Sequence, residues 1–133
     1  MTTTPDTAAA APRPATLAQA LQGRTLAYLL SHGGDGPPHA APVRVRLQTD
    51  GALRIDGLGR HTRANLARHG AAALLWPPAQ AGGYSLMVDV QAQLDVDGAR
   101  LAPTRAVLHR AAPLPEGAQQ AGNCTSDCVE LRF

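Results

Sequence analysis

Residues 84–96 alternate apolar and polar side chains without a break, and this run constrains the fold more than any other. Tyr84, Leu86, Val88, Val90, Ala92, Leu94 and Val96 fall on one side, with Ser85, Met87, Asp89, Gln91, Gln93 and Asp95 on the other. Side chains alternate across a strand but recur every ~3.6 residues around a helix, so the run reads as a strand. At strand rise it would span ~43 Å, about twice the usual length. A strand that long curves around a barrel or reaches past it to another subunit.

Turn chemistry divides the rest of the chain. Asp97-Gly98 suits a two-residue turn, which would set Asp95 opposite Arg100 and Leu94 opposite Leu101. An earlier hairpin can be tested by register. With Thr49-Asp50-Gly51 as a three-residue loop, Gln48 faces Ala52, Leu47 faces Leu53, Val45 faces Ile55 and Arg44 faces Asp56. A two-residue loop would set Leu47 against Arg54 and mix the faces. The longer loop also sets Arg46 across from Arg54, a repulsive pair unless solvent or an anion separates them.

Elsewhere, Thr16 caps a short helix over residues 17–22, with Gly23 as its stop. Residues 25–32 alternate, with Leu26, Tyr28 and Leu30 on one face, and read as a strand. The apolar run 71–76 fits a strand buried on both faces. Residues 104–110 are ambiguous between strand and helix, 113–122 are loop, and 128–133 form a final strand. Most strands sit in hairpins, at the spacing of a closed or partly closed antiparallel barrel.

The chain of 133 residues is long enough for one domain with a single core. With 26 alanines and only 3% aromatic residues, that core must be built from Leu, Val and Ala. A net charge of +2 and so few aromatics argue against nucleic-acid binding, and no apolar run approaches a membrane span of ~20 residues. Residues 1–14, rich in Thr, Ala and Pro, lack the pattern of a signal peptide and read as a flexible leader. A cytoplasmic protein is expected. Cys124 and Cys128 would lie ~13 Å apart on one strand, too far for a disulfide, whereas in a turn or helical loop they could bridge or share a metal, for which two further ligands are not apparent. None of His32, His39, His61, His69 and His109 has metal-ligand spacing, so no metal is expected. Trp76 reads as core or interface, and Asp89 as solvent-exposed.

Chemistry concentrates in Gly59-Arg60-His61-Thr62-Arg63-Ala64-Asn65-Leu66, where a glycine turn runs into a two-turn helix closed by Gly70. A helix start presents unpaired backbone N–H groups, which suit a phosphate. The chain has 12 arginines and no lysine, and guanidinium is the better fork for an oxyanion.

Taken in order, several segments resemble the pyridoxamine-5′-phosphate-oxidase-like, FMN-binding split-barrel family. They are the first strand, its Gly-rich turn, Pro38-His39-Ala40-Ala41-Pro42-Val43, the Asp-Gly hairpin, Gly-Arg-x-Thr-Arg-x-Asn-Leu and the apolar strand ending in Trp76. Ala102-Pro103-Thr104-Arg105-Ala106-Val107-Leu108-His109-Arg110 is similar to a segment of many uncharacterised members. The resemblance covers residues 20–131. It implies a mainly β fold, a six-stranded antiparallel split barrel with two or three short helices over residues 15–133. It also implies a homodimer with FMN at the interface. Arg60, His61, Thr62 and Arg63 match the segment that contacts the flavin phosphate, with threonine where the family's Ser-Arg-Lys triplet ends in lysine. Val43, Arg44, Val45 and Arg46 match the strand along the isoalloxazine or ribityl chain. The C-terminal Arg-x-His of true pyridoxamine phosphate oxidases is missing, so that oxidase activity is not expected. The resemblance points to a flavin-dependent oxidoreductase for an unknown small molecule. The rival readings are a non-catalytic carrier or sensor, or the same fold holding deazaflavin or haem.

Overall fold

The computed structural model describes residues 14–111 and 126–133. Most of the leader, the expected loop at 113–122 and Cys124 therefore lie outside the described residues. The described residues form helix α1 (Leu17–Leu21), strands β1 (Ala27–Ser31), β2 (His39–Val43), β3 (Arg46–Leu47) and β4 (Leu53–Asp56), and helix α2 (Arg60–Arg68). Strands β5 (Ala71–Trp76), β6 (Ser85–Leu94), β7 (Gly98–Ala111) and β8 (Ser126–Leu131) follow. They join one antiparallel sheet in the order β2-β1-β5-β6-β7-β4-β3, with β8 added to β7. The class is the expected one, with eight strands rather than six. No helix among the described residues is long and apolar enough to cross a membrane.

The extra strands come from division of the sheet along β7. Its first part pairs with β4, from Gly98 to Leu101, and its last part with β8, from Ala106 to Ala111. Between them Pro103 sits where that edge has no partner among the described residues, a position in a strand that proline tolerates. Thr104 is the extra residue of a bulge, because Asp89 pairs with Arg105 while Val90 pairs with Pro103. Residues 104–110 are thus strand, which settles their ambiguity.

The long strand is shorter than its alternation, because β6 ends at Leu94 and Val96 is 91% exposed. Its hairpin also turns one residue earlier than the Asp97-Gly98 reading, which shifts the pairing by two residues. Leu94 pairs with Ala99 and Gln93 with Arg100, and the turn is Val96-Asp97, closed by the Asp95 N–H donating to the Gly98 carbonyl at 2.9 Å. A two-residue slip keeps every side chain on its face, so the hydrophobic pattern cannot choose between the registers. The choice rests on Asp95, whose Oδ1 accepts the N–H groups of Asp97 (3.0 Å) and Gly98 (2.8 Å). It also rests on Gly98, where an added Cβ would meet the Ile55 carbonyl oxygen at 2.0 Å.

The core is aliphatic, as the composition requires. Leu29, Leu53, Leu74, Leu86, Val88 and Leu101 are all fully buried, joined by Ile55, Leu108 and Trp76. In β1 the buried face is Ala27, Leu29 and Ser31, while Tyr28 and Leu30 are half-buried on the outside and Leu26 is 51% exposed. β5 buries Leu74 and Trp76 on one face only, and its other face is half-exposed. Burial of both faces is therefore corrected: no element among the described residues covers that outer side. Thr16 caps α1 through a capping box with Gln19, and the parallel bridge from Thr16 to Arg132 fastens it to the chain end.

Candidate functional site

The first hairpin keeps its expected loop, with Gly51 at φ +90° and Arg46 opposite Arg54, Leu47 opposite Leu53. Its pairing then stops. Val45 and Arg44 do not pair with Ile55 and Asp56, because Val43 is already bonded to Ala27 on β1. The two residues 44 and 45 carry the chain from one edge of the sheet to the other, so they cannot stay bonded to β4. The seam they leave is a groove of about 780 Å³, lined by residues 24–26, 42–45 and 55–57. Leu26, Pro42, Val43, Val45 and Ile55 make its apolar wall, while Arg24, Arg44 and Asp56 bring charge.

The Arg46–Arg54 repulsion is relieved from inside the protein. Asp56 accepts Arg46 at 2.6 Å and the Nε of Arg54 at 2.9 Å, and Arg54 also grips Asp95 at 2.8 Å. Hydrogen bonds from Arg54 and then Arg46 hold the Asp56 carboxyl below the usual range. Arg54 holds Asp95 well below it. Asp95 first and Asp56 second raise the Arg54 guanidinium above its ordinary value. An external anion is therefore not needed between these arginines. Arg44 has no ion-pair partner among the described residues and lies at the groove.

Arg24 was not singled out by sequence. It donates to the carbonyls of Ala20 (3.0 Å) and Tyr84 (3.0 Å), and at 3.5 Å to those of Trp76 and Pro77. Burial lowers its pKa, and no carboxylate among the described residues pairs with it. No motif marks such a residue, since its partners are backbone groups far apart in sequence.

The expected phosphate segment is the first turn of α2. Successive residues on a helix point ~100° apart, so the four side chains cannot converge. Arg60 is exposed, His61 turns toward His39 with ring centroids 5.9 Å apart, and Thr62 is buried at 2% exposure. Arg63 donates to the Asp95 carbonyl at 3.0 Å. What does converge is backbone. The first helical bond is Arg63 N–H to Gly59 C=O, Gly59 contributes no side-chain cap, and the first turn holds no acidic residue. The N–H groups of Arg60, His61 and Thr62 are left outward, with Arg60 beside them. Gly57 on the groove wall lies three residues before Arg60, within ~11 Å of chain.

α2 is held in place by its other faces. Asn65 donates to the Ser31 hydroxyl at 3.1 Å, Leu66 is buried, and His69 stacks on His32 with centroids 4.4 Å apart. The Asn65 side chain fills the space beside Gly33, where a Cβ would approach it to 2.5 Å. Cys128 is an exposed free thiol on β8, and Trp76 is core at 2% exposure.

No protein-family model matches the chain. It is 38% identical over 128 residues to the uncharacterized protein Mb0449c of Mycobacterium bovis, an alignment covering 85% of this chain and 89% of that one. The uncharacterized protein MT0457 of Mycobacterium tuberculosis matches with the same identity and coverage. The chain belongs to the family of these two proteins. For the fold, two crystal structures of proteins provisionally named pyridoxamine 5′-phosphate oxidases give the comparison. The one from Listeria innocua superposes with a TM-score of 0.56 at 17% identity, covering 69% of this chain and 94% of its own. The one from Corynebacterium glutamicum gives 0.52 at 14%, covering 67% and 82%. The fold of this chain is thus the split barrel of these oxidase-like proteins.

Proposed function

We propose that this chain binds FMN in the groove at the barrel seam and is a flavin-dependent oxidoreductase acting on a small molecule. The observation that carries the reading is the groove itself, where an apolar wall is flanked by unpaired Arg44 and lies near the open start of α2. About 780 Å³ is within the usual range for a small-molecule site. A flat apolar ring and a phosphate dianion make the complementary ligand. Val43, Val45 and Ile55 would pack the ring, Arg44 would lie along the ribityl–phosphate side, and Arg60 with the first N–H groups of α2 would hold the phosphate. Arg63 and Thr62 would support that turn, through the Asp95 carbonyl and through burial. Bound flavin supplies hydride and electron transfer.

The protein groups in the groove bind and exclude water rather than move protons. Asp56 is held ionised between two arginines, so it offers no acid at neutral pH. That same observation favours a second reading, a carrier or sensor that holds the ligand without turnover. None of the groove-lining residues is His, Cys, Met or Tyr, which leaves a haem iron without an axial ligand there. The reading also makes the protein a homodimer, with a second copy closing the groove. Sedimentation at monomer mass with FMN bound would count against it.

Absorbance of the purified protein and an FMN fluorescence titration test the reading. The expected result is saturable quenching that weakens about tenfold or more in Arg44→Ala. Absence of quenching at any protein concentration would overturn it. Steady turnover of an acceptor with reduced nicotinamide would then separate enzyme from carrier.

A further inference from the structure

The outer face of the sheet carries a second groove, of about 570 Å³, at the opposite end of β1 from the seam. Leu30, Pro38, Val90 and the run Ala71-Ala72-Ala73 give it a shallow apolar wall. Ser31, His32, Gln91 and Thr104 supply polar groups, and Asp89 supplies a carboxylate. Asp89 is half-buried rather than solvent-exposed, and it makes no ion pair or hydrogen bond among the described residues.

That lack of a partner has a structural cause. The residue across from Asp89 on β7 is Arg105, which could neutralise it, yet Arg105 turns to β8 and holds Glu130 through Nε (3.1 Å) and an Nη (2.8 Å). On the other side Asp89 faces Ala73, too small to cover it. The Thr104 bulge falls at this pair, and bulges re-aim neighbouring side chains. A carboxylate on an apolar wall, turned from its own arginine, attracts a cation that brings apolar surface with it.

We propose that this groove binds small organic ammonium ions, with Asp89 as the counter-charge and the alanine run as the seat for the hydrocarbon part. Some five residues of β1 separate it from the seam, roughly 15 Å, so it is a second site of opposite charge preference. It does not rest on the flavin reading. A metal ion or the ammonium ion itself would gain the charge but not the wall. A neutral alcohol would gain the wall but not the charge.

The test is amide chemical-shift mapping of the full chain with hexylammonium, 1-hexanol and hexanoate as probes, none of which requires flavin. Hexylammonium is expected to shift the amides of Ala73, Asp89 and Thr104 saturably, with a Kd at least about tenfold below that of hexanol and no saturable shift from hexanoate. Asp89→Asn, checked for an unchanged amide spectrum elsewhere, is expected to raise the hexylammonium Kd to that of hexanol. Ala73→Leu should weaken hexylammonium and hexanol alike by filling the wall. Equal Kd values for hexylammonium and hexanol, or full binding by Asp89→Asn, would overturn the proposal. So would shifts confined to other residues, or a groove closed to every probe because a second copy covers it.

Discussion

Gly98→Ala tests the register that shapes the groove. In the structure Gly98 lies flat against the end of β4, and an added Cβ would sit 2.0 Å from the Ile55 carbonyl oxygen and 2.9 Å from the Asp56 Cα. Cβ atoms essentially never approach closer than 3.0 Å, so the strands must part by about 1 Å. Overpacking of this kind costs about 1–3 kcal/mol. Parting the strands also loosens the Gly57 N–H to Asp97 carbonyl bond of 2.8 Å, worth about 1 kcal/mol. Removing a glycine from a strand returns about 0.5–1 kcal/mol. The net is a loss of about 1–3.5 kcal/mol, or a fall in melting temperature of roughly 4–14 °C for a domain of this size. Urea denaturation should show a lower midpoint with an unchanged slope. Gly98→Asn should cost at least as much. If Gly98 instead sat in the Asp97-Gly98 turn, asparagine would be well tolerated there. A change within about 0.5 kcal/mol for both variants would refute the strand contact and the groove wall built on it. Because Ile55, Asp56 and Gly57 line the seam, Gly98→Ala should also weaken FMN binding.

Arg24→Ala removes the guanidinium that joins α1, β5 and β6 through backbone carbonyls, and should cost about 2–4 kcal/mol in chemical denaturation. Leu74→Ala, at a fully buried site on the central strand, should cost about 3–5 kcal/mol by the same assay. Asp95 and Asp56 titrate below their unfolded values, so their stabilisation is fully present above about pH 4 and is lost as pH falls through the lowered folded values. Melting temperatures measured from pH 6 to pH 2 should therefore fall less steeply in Asp95→Asn than in the wild type. Arg60→Ala should leave melting unchanged, because Arg60 is exposed and makes no ion pair among the described residues, while weakening FMN by about tenfold in a fluorescence titration.

Face alternation made the strands legible in the sequence, and turn residues made the loop of the first hairpin legible, with its Arg46–Arg54 and Leu47–Leu53 pairs. The β6–β7 hairpin was not, because a slip of two residues preserves both faces. Its true register depends on Asp95 folding back on two N–H groups, and on Gly98 meeting a strand more than forty residues away. The seam groove was half legible. Val43, Arg44 and Val45 do line it, but the expected pairing to Ile55 and Asp56 would have closed it. Only the competing bond between Val43 and Ala27, across the sheet, reveals that the strands must part. The pairing of Arg46 with Asp56, ten residues on, was not legible because the expected register set Asp56 against Arg44. The helix start carried its own signal in Gly59 and Arg60, but consecutive residues on a helix face different ways. That separates Thr62, in the core, and His61, at His39, from Arg60.

The central claim is that the seam holds a flavin by its phosphate, and parallel fluorescence titrations of the wild-type protein with FMN and with riboflavin test it most directly. The two ligands share the ring and ribityl chain and differ in the phosphate alone. The account predicts saturable binding of FMN with riboflavin at least about tenfold weaker, and a gap that narrows in Arg60→Ala. Equal affinity for the two, or binding of neither, would contradict it.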